Sequence, residues 1–345
     1  MVNRYIALSL FLIVYNGFLL GQRQDSLRIL FYNVENLFDT KDDPLTQDDD
    51  FLPGKLMNWT HWKYREKLKN ITRVITAVGQ MQSPAIVGLC EVENDSVLYD
   101  LTRRSPLKAQ QYHYIITHSA DERGMDVALL YQRDHVRLLQ TAEYPIRFGN
   151  KSTRHSRNIL HATFLTLSHD TLDVFVAHFP SRRGGQHQTE PARIDAASLL
   201  RSKADSLFSV RQHAHIIIMG DFNDHPDDKS LARILKAGIP ALHPSDKQLY
   251  NLFLPRIKER NFGTYKFQGR WEILDQFIIS GDFLSGESTM KIRNKEATVF
   301  RMPFLLQDDE KDGGKKPFRT NSGPRYVGGF SDHLPVYMDV IINDQ

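Results

Sequence analysis

Apolar residues in this chain come in short runs that stop at polar residues, with amphipathic stretches between them. Residues 27–32 read as a buried strand ending at Asn33, and an irregular acidic stretch through Asp42, Asp43, Asp48, Asp49 and Asp50 follows. Those aspartates lack the glycine and terminal glutamate of a calcium loop and read as a solvated loop. Thr60 then predicts a helix N-cap. Leu68, Ile71, Val74, Ile75 and Val78 form one apolar face, and Gly79 closes the helix. A second apolar run, 85–90, ends at Glu91. This β-α-β opening places Asn33 and Glu91 at the carboxyl ends of strands, where open α/β sheets bind ligands.

The middle of the chain predicts strands at 112–117, 126–131, 136–144, 159–167 and 172–177, spaced closely enough for largely antiparallel pairing and hence a mixed sheet. A helix is expected from about Pro191 to Phe208, burying Ile194, Ala197, Leu199, Leu200 and Leu207. It leads to an apolar strand at 216–219, and later strands fall at 273–279 and 335–341. No internal repeat is present. The stretch 307–326, rich in Asp, Gly and Lys, reads as a mobile loop beside the cleft that selects substrate.

At the amino terminus, Arg4 precedes an apolar stretch from Ile6 to Leu20, then Gly21 and polar residues. That is the layout of a secretory signal, shorter than the ~20 residues of a membrane span. The expected organisation is a signal peptide over 1–21 and a single domain over 22–345, since no Ser/Gly/Pro-rich linker divides the chain. The product is expected to be exported, periplasmic or secreted, with no stable span after cleavage; a retained anchor is the alternative.

Composition narrows the class. With 41% hydrophobic and 25% charged residues, the chain can build an ordinary globular core. A net charge of +3 tolerates a polyanionic substrate without marking a dedicated nucleic-acid binder. Cys90 is the only cysteine, so an intrachain disulfide and a cysteine-rich zinc site are both excluded. Its place in an apolar run makes it a buried residue.

Candidate chemistry gathers at the ends of the apolar runs. Glu91 and Asp332 are hard oxygen donors of the kind hydrated Mg²⁺ prefers. In Gly220-Asp221-Phe222-Asn223, an extended backbone would point Asp221 and Asn223 the same way, one to orient or deprotonate water and the other to donate to a phosphoryl oxygen; an ordinary Asx turn is the bland alternative. His178 and His333 are too soft for magnesium and suit proton transfer to or from a phosphoester if a carboxylate fixes the tautomer. Asp275 is the expected partner of His333, and Asp126 that of His178. Arg123, Arg182 and Arg183 are candidates to grip phosphate through forked guanidinium groups. Trp59, Trp62 and Tyr64 could stack bases or pack a helix on the core.

The ordered set Phe31-Tyr32-Asn33-Val34-Glu35-Asn36, Leu89-Cys90-Glu91, Arg123-Gly124-Met125-Asp126, His178-Phe179-Pro180, Gly220-Asp221-Phe222-Asn223, Leu274-Asp275-Gln276-Phe277 and Ser331-Asp332-His333-Leu334-Pro335-Val336 resembles the endonuclease/exonuclease/phosphatase superfamily. The resemblance covers residues 27–342. It implies a four-layer α/β sandwich of two facing mixed sheets flanked by helices, with Mg²⁺ or Mn²⁺ at one edge. It further implies Glu91 as main metal ligand with Asn33 and Asp332 nearby, and His178, Asp221, Asn223, Asp275 and His333 in the hydrolytic machinery. His178 matches the nuclease and sphingomyelinase branches better than the abasic-site endonucleases, which have a tyrosine there. The acid paired with this histidine in deoxyribonuclease I falls near Met125, which leaves Asp126 as the replacement.

The implied activity is divalent-metal-dependent hydrolysis of phosphodiesters, nuclease-type first. A phosphatase or phospholipase C-type enzyme acting on inositol phosphates or sphingomyelin is the alternative, and a non-catalytic binding module is the alternative of another class. A dinuclear calcineurin-type site is disfavoured because the chain has neither an Asp-x-His nor a Gly-Asn-His segment. The expected partner is a phosphoester substrate, nucleic acid among the candidates.

Overall fold

Two apolar runs joined by one amphipathic helix start the fold: β1 (Asp25–Leu37), α1 (His61–Gly79) and β2 (Ile86–Val92). The computed structural model describes residues 25–149, 155–286 and 288–342, so the expected signal peptide lies outside the described residues. Thr60 caps α1 as expected, its side chain accepting from the Lys63 N–H at 3.4 Å. A short helix α2 (Asp95–Tyr99) follows, then β3 (His113–Ile116), β4 (Asp126–Tyr131), β5 (Val136–Tyr144), β6 (Ile159–Thr166) and β7 (Thr171–His178). The long helix α3 (Gln186–Val210) leads into β8 (His215–Asp221), β9 (Ala237–Gly238) and β10 (Leu249–Asn251). The hairpin β11 (Tyr265–Phe267) and β12 (Arg270–Glu272) precedes β13 (Asp275–Ser280), β14 (Met290–Ile292) and β15 (Thr298–Val299). Two small hairpins, β16 (Leu306–Asp308) with β17 (Lys315–Pro317) and β18 (Asn321–Ser322) with β19 (Arg325–Tyr326), come before the final β20 (Val336–Ile342).

The main strands form two mixed sheets. One runs β14-β20-β1-β2-β4-β3 with β15 also on β20, and the other runs β5-β6-β7-β8-β13-β10-β9. The long parallel pairs β1–β2 and β7–β8 have crossovers that carry the long helices α1 and α3, while the short parallel pair β9–β10 is joined by a loop. Strand periodicity divides the core into layers. Leu27, Ile29 and Phe31 meet Val174, Ile217, Met219 and Phe277 between the sheets. Leu30 and Tyr32 face the other way onto Ile71, Val74 and Ile75 of α1. Ile216 and Ile218 pack on Ala197 and Leu200 of α3. The result is the expected helix-sheet-sheet-helix sandwich, and both central strand sets read as continuous apolar runs because both of their faces are covered.

The structure departs from the pattern reading in three places. Helix α3 starts five residues before Pro191, and it buries a narrow face of Ala196, Ala197, Leu200, Ala204 and Phe208 with Arg193, while Ile194, Leu199 and Leu207 lie half-buried. The Arg193 guanidinium can sit in the interior because Asp224 meets it at 2.7 Å. Residues 307–326 are not a plain loop but the two small hairpins, fastened where the Asp309 carboxylate takes Lys266 at 3.0 Å and Lys316 at 3.1 Å. In the acidic stretch, Asp48 is buried and accepts from the Asp43 N–H at 3.2 Å, while Asp42, Asp49 and Asp50 stay exposed. No helix among the described residues is long and apolar enough to cross a membrane.

Gly220 allows the close register of β7 and β8. It pairs with Ala177, and a Cβ at this position would lie 2.2 Å from the Ala177 carbonyl oxygen. Gly220→Ala should therefore destabilise the protein by roughly 1–3 kcal/mol, the cost of forcing atoms into a packed interior, seen as a lower urea midpoint at unchanged slope. A midpoint equal to wild type would show that the two strands can part without penalty.

Candidate active site

The carboxyl ends of β1, β2, β7 and β8 meet at one edge of the sandwich, and the antiparallel partners β13 and β20 begin there. Asp275 pairs with Asp221, and Val336 with Phe31. Sheet topology thus brings Asn33, Glu91, His178, Asp221, Asp275 and His333 together from segments up to 300 residues apart. Both amino-terminal strands break at this edge. β1 shifts register between Asn33 and Leu37 with Glu35 and Asn36 at φ +53° and +54°, and β2 shifts between Cys90 and Val92 with Glu91 at φ +62°. Left-handed non-glycine residues at strand irregularities re-aim side chains out of the regular alternation, a strain the packed surroundings must hold.

Glu91 is held from both oxygens. Oε2 accepts from the Asn36 N–H at 2.9 Å, and Oε1 from Asn33 Nδ2 at 3.3 Å. The same Nδ2 donates to Asp221 Oδ2 at 3.0 Å, while Asn33 Oδ1 accepts from the Glu35 N–H at 3.0 Å. With its oxygen bonded to backbone, Asn33 offers its NH₂ to two carboxylates and ties Glu91 to Asp221.

Asp221 is the hub. His178 Nε2 lies 3.6 Å and His333 Nε2 3.8 Å from its Oδ2, and His178 Nε2 is 4.0 Å from Glu91 Oε1. The expected His333–Asp275 pair is present, Nδ1 to Oδ2 at 2.7 Å, with the Asp275 N–H donating to Thr264 Oγ1 at 3.1 Å. Electrostatics drive the two histidines apart. Burial pulls the His333 pKa down, but the carboxylates of Asp275 and Asp221 outweigh it and hold the ring well above its ordinary value. Burial, helped by Arg157 and Arg123, drives His178 well below its ordinary value, so it stays neutral. Burial also raises the Asp221 carboxyl, with the charge of His333 opposing.

Other expected residues land differently. Asp126 does not reach His178: its Oδ1 takes the hydroxyls of Thr117 and Ser119, and burial pushes its carboxyl up to about 6. It opens β4, one strand beyond β2, so its hydroxyl partners are local and His178 is left facing Glu91 and Asp221. Asn223 is not extended. At φ +50° its N–H closes an Asx turn on Asp221 Oδ1 at 2.9 Å, and its Nδ2 donates to the Phe179 carbonyl at 3.1 Å. Arg182 is committed to structure, with Nε donating to the Asn223 carbonyl at 2.6 Å and Nη1 lying 3.4 Å from Glu272. Arg123 is exposed 3.8 Å from Asp121, and Arg183 is exposed. Trp59 is core, its Nε1 donating to the Phe38 carbonyl; Tyr64 is buried on Asp100; Trp62 is exposed against Tyr326.

Three side chains act in ways the sequence reading did not assign. Ser331 Oγ donates to the Asn33 carbonyl at 2.7 Å and accepts from the His333 N–H at 3.1 Å, tying the end of β1 to the histidine. Its place directly before Asp332-His333 was the available signal. The Tyr265 ring packs 4.8 Å from that of His333. Arg319 Nη2 donates to Asp332 Oδ2 at 2.7 Å, with no local sequence signal to announce it.

The donor set fits a divalent cation. Asp221, Asp275 and His333 bring ligand atoms within 4.8 Å of one another. The Nδ1 of His333 is already taken by Asp275, which leaves its Nε2 and the two carboxylates facing one another. Glu91 and Asp332, both half-buried, are further carboxylates that could hold the ion.

Residues 28–341 match the Endonuclease/Exonuclease/phosphatase family. Among solved structures, an endonuclease/exonuclease/phosphatase family protein from Bacteroides thetaiotaomicron superposes with a TM-score of 0.58 at 15% identity, covering 93% of this chain and 99% of that one. A mannosyl-6-phosphatase of Bacteroides thetaiotaomicron VPI-5482 gives 0.58 at 15% identity, covering 92% and 100%. D. rerio TDP2 complexed with a single-strand DNA product gives 0.54 at 14% identity, covering 92% and 99%. No curated protein matches the chain.

Proposed function

Because this chain belongs to the endonuclease/exonuclease/phosphatase family, a superfamily of phosphoester hydrolases, we propose that it is a divalent-metal-dependent phosphodiesterase of the nuclease type. The observation that carries the reading is the His333–Asp275 pair at 2.7 Å, facing a buried Asp221 that Asn33 ties to Glu91. A bound Mg²⁺ or Mn²⁺, held by Glu91 and Asp332, would supply positive charge to the phosphoryl oxygens.

The protein's own groups divide the remaining work. Asp221, its pKa raised by burial, orients water and takes its proton through Oδ2. His333, held cationic by Asp275, stabilises the charge that develops on phosphorus-bound oxygen and returns a proton to the leaving oxygen. Neutral His178 lies against the same Asp221 oxygen and keeps that carboxylate aimed into the cleft. Asn33 locks Asp221 and Glu91 in register, and Asn223 closes its turn on Asp221 Oδ1 with its amide anchored on the Phe179 carbonyl. Residues 1–21 add the proposal that the enzyme is exported and acts outside the cytoplasm.

Purified protein should hydrolyse at least one member of a panel of single-stranded DNA, duplex DNA, RNA, sphingomyelin and inositol phosphates with Mg²⁺ or Mn²⁺, and EDTA should stop it. Cleavage of nucleic acid supports the nuclease reading, and turnover of the lipid or inositol substrates alone replaces it with the phosphatase or phospholipase C-type reading. Turnover unaffected by EDTA would remove the metal from the scheme.

A further inference from the structure

The cleft is crowded with carboxylates: Glu91, Asp221, Asp275 and Asp332, with Glu35 behind them. Such a field repels an anionic ester, and positive charge beyond that of His333 and the cation would help a substrate phosphate to settle there. The arginines marked by the sequence do not supply it at this spot, since Arg182 is bound to Glu272 and the Asn223 carbonyl and Arg123 lies beside Asp121. Arg319 does.

Its backbone is pinned on both sides. The Gly329 N–H donates to the Arg319 carbonyl at 3.1 Å, and the Phe330 N–H to the Phe318 carbonyl at 2.6 Å. The Thr320 N–H donates to Glu35 Oε2 at 2.6 Å, and buried Lys67 holds both the Thr320 hydroxyl and the Phe330 carbonyl. From this anchored segment the side chain reaches Asp332, Nη2 to Oδ2 at 2.7 Å, with Nε 3.4 Å from Glu35 Oε1. Asp332 immediately precedes His333, whose ring carries Tyr265 at 4.8 Å. The guanidinium thus lies on the carboxylate of the residue directly before His333, and its side chain remains 38% exposed, open enough to meet a ligand. A guanidinium has five donors in a planar fork, and two contacts leave the rest for phosphate oxygens.

We propose that Arg319 is a substrate-binding residue that grips the non-bridging oxygens of the phosphoester while keeping Asp332 turned into the cleft. The proposal deepens the phosphoester-hydrolase reading and rests on it for the identity of the anion. It also assigns a task to the hairpin region 306–326, which delivers this one side chain to the site.

The test compares the full-length wild type with Arg319→Met and Arg319→Lys. Inorganic phosphate is the calorimetric probe with Mg²⁺ present, and bis-p-nitrophenyl phosphate the substrate. Arg319→Met should weaken phosphate binding by ~10–100-fold, the scale of a lost charge-assisted hydrogen bond, and raise KM by a similar factor with a smaller fall in kcat. Arg319→Lys should recover part of both. If Arg319→Met does not fold, Arg319→Gln, which keeps a donor for Asp332, gives the same readouts. Unchanged phosphate affinity in a folded variant overturns the proposal, as does a loss confined to kcat, which would leave Arg319 as a holder of Asp332 alone. Arg319-dependent phosphate binding by a protein that cleaves no ester would sink the hydrolase reading and keep this one.

Discussion

His333→Ala should lower kcat/KM for a phosphodiester by ~10³–10⁴-fold, near the upper end for loss of a positioned acid. The loss has two sources. The variant removes the proton that Asp275 and Asp221 hold on the ring, and it leaves Asp275 as a buried carboxylate without its 2.7 Å partner. The second effect should appear separately as a stability loss of about 3–5 kcal/mol, the cost of breaking a buried ion pair from one side. Asp275→Asn separates the two. Its amide oxygen can still accept from Nδ1, but without the negative charge the ring loses its main reason to stay protonated, and kcat should fall by ~10²-fold with milder destabilisation. Because the residues act as a unit, the double variant should be no slower than His333→Ala alone. Multiplicative losses in the double variant would mean that Asp275 acts independently of the histidine.

Glu91→Ala should reduce turnover by ~10³-fold, since a metal ion contributes several kcal/mol of charge stabilisation at phosphoryl oxygen. Calorimetric titration with Mg²⁺ should show the same variant losing the cation, a readout independent of activity. Asn33→Ala should weaken the cation less, because the Asn36 N–H still holds Glu91 Oε2 at 2.9 Å. Full activity in Glu91→Ala, or wild-type Mg²⁺ affinity, would shift the ion to the Asp221, Asp275 and His333 cluster. The ordering of Glu91 above Asn33 also tests whether Asn33, which touches both acids through its NH₂, acts on the cation through Glu91.

Strand and helix existence was largely legible because the core is layered. Strands such as β1 and β8 are buried on both faces, and continuous apolar runs announce them. Helix α1 has one broad apolar face and a capping threonine, so its limits were read closely. Helix α3 was harder, since its buried face is built of small alanines with Arg193, a pattern that hydrophobic spacing does not reveal. The hairpins of 306–326 were missed because each strand has two or three residues, too few for a period to show, and because Asp309 with Lys266 and Lys316 supplies the cohesion that apolar burial supplies elsewhere.

The residues at the site divide along the same line. Strand ends can be read from one segment at a time, and so Asn33, Glu91, His178, Asp221 and the Ser331-Asp332-His333 triplet stood out, as did the need for Asp275 opposite a histidine. Their orientation could not be read. Glu91 reaches the cleft through a left-handed residue in a broken strand, and Asn223 turns back onto Asp221, both departures from the alternation that a one-dimensional pattern assumes. The resemblance offered Asp126 as partner of His178 in place of an acid near Met125, but hydrogen bonding is decided by proximity in space, and Asp126 bonds Thr117 and Ser119. Sequence alone therefore determined the main strands and helices and the strand ends where polar residues gather, because burial and period are local properties, and the resemblance carried by its ordered motifs implied the layers. Only the tertiary structure decided which acid faces which base and which arginine meets Asp332, because charge and hydrogen-bond geometry depend on neighbours hundreds of residues away along the chain.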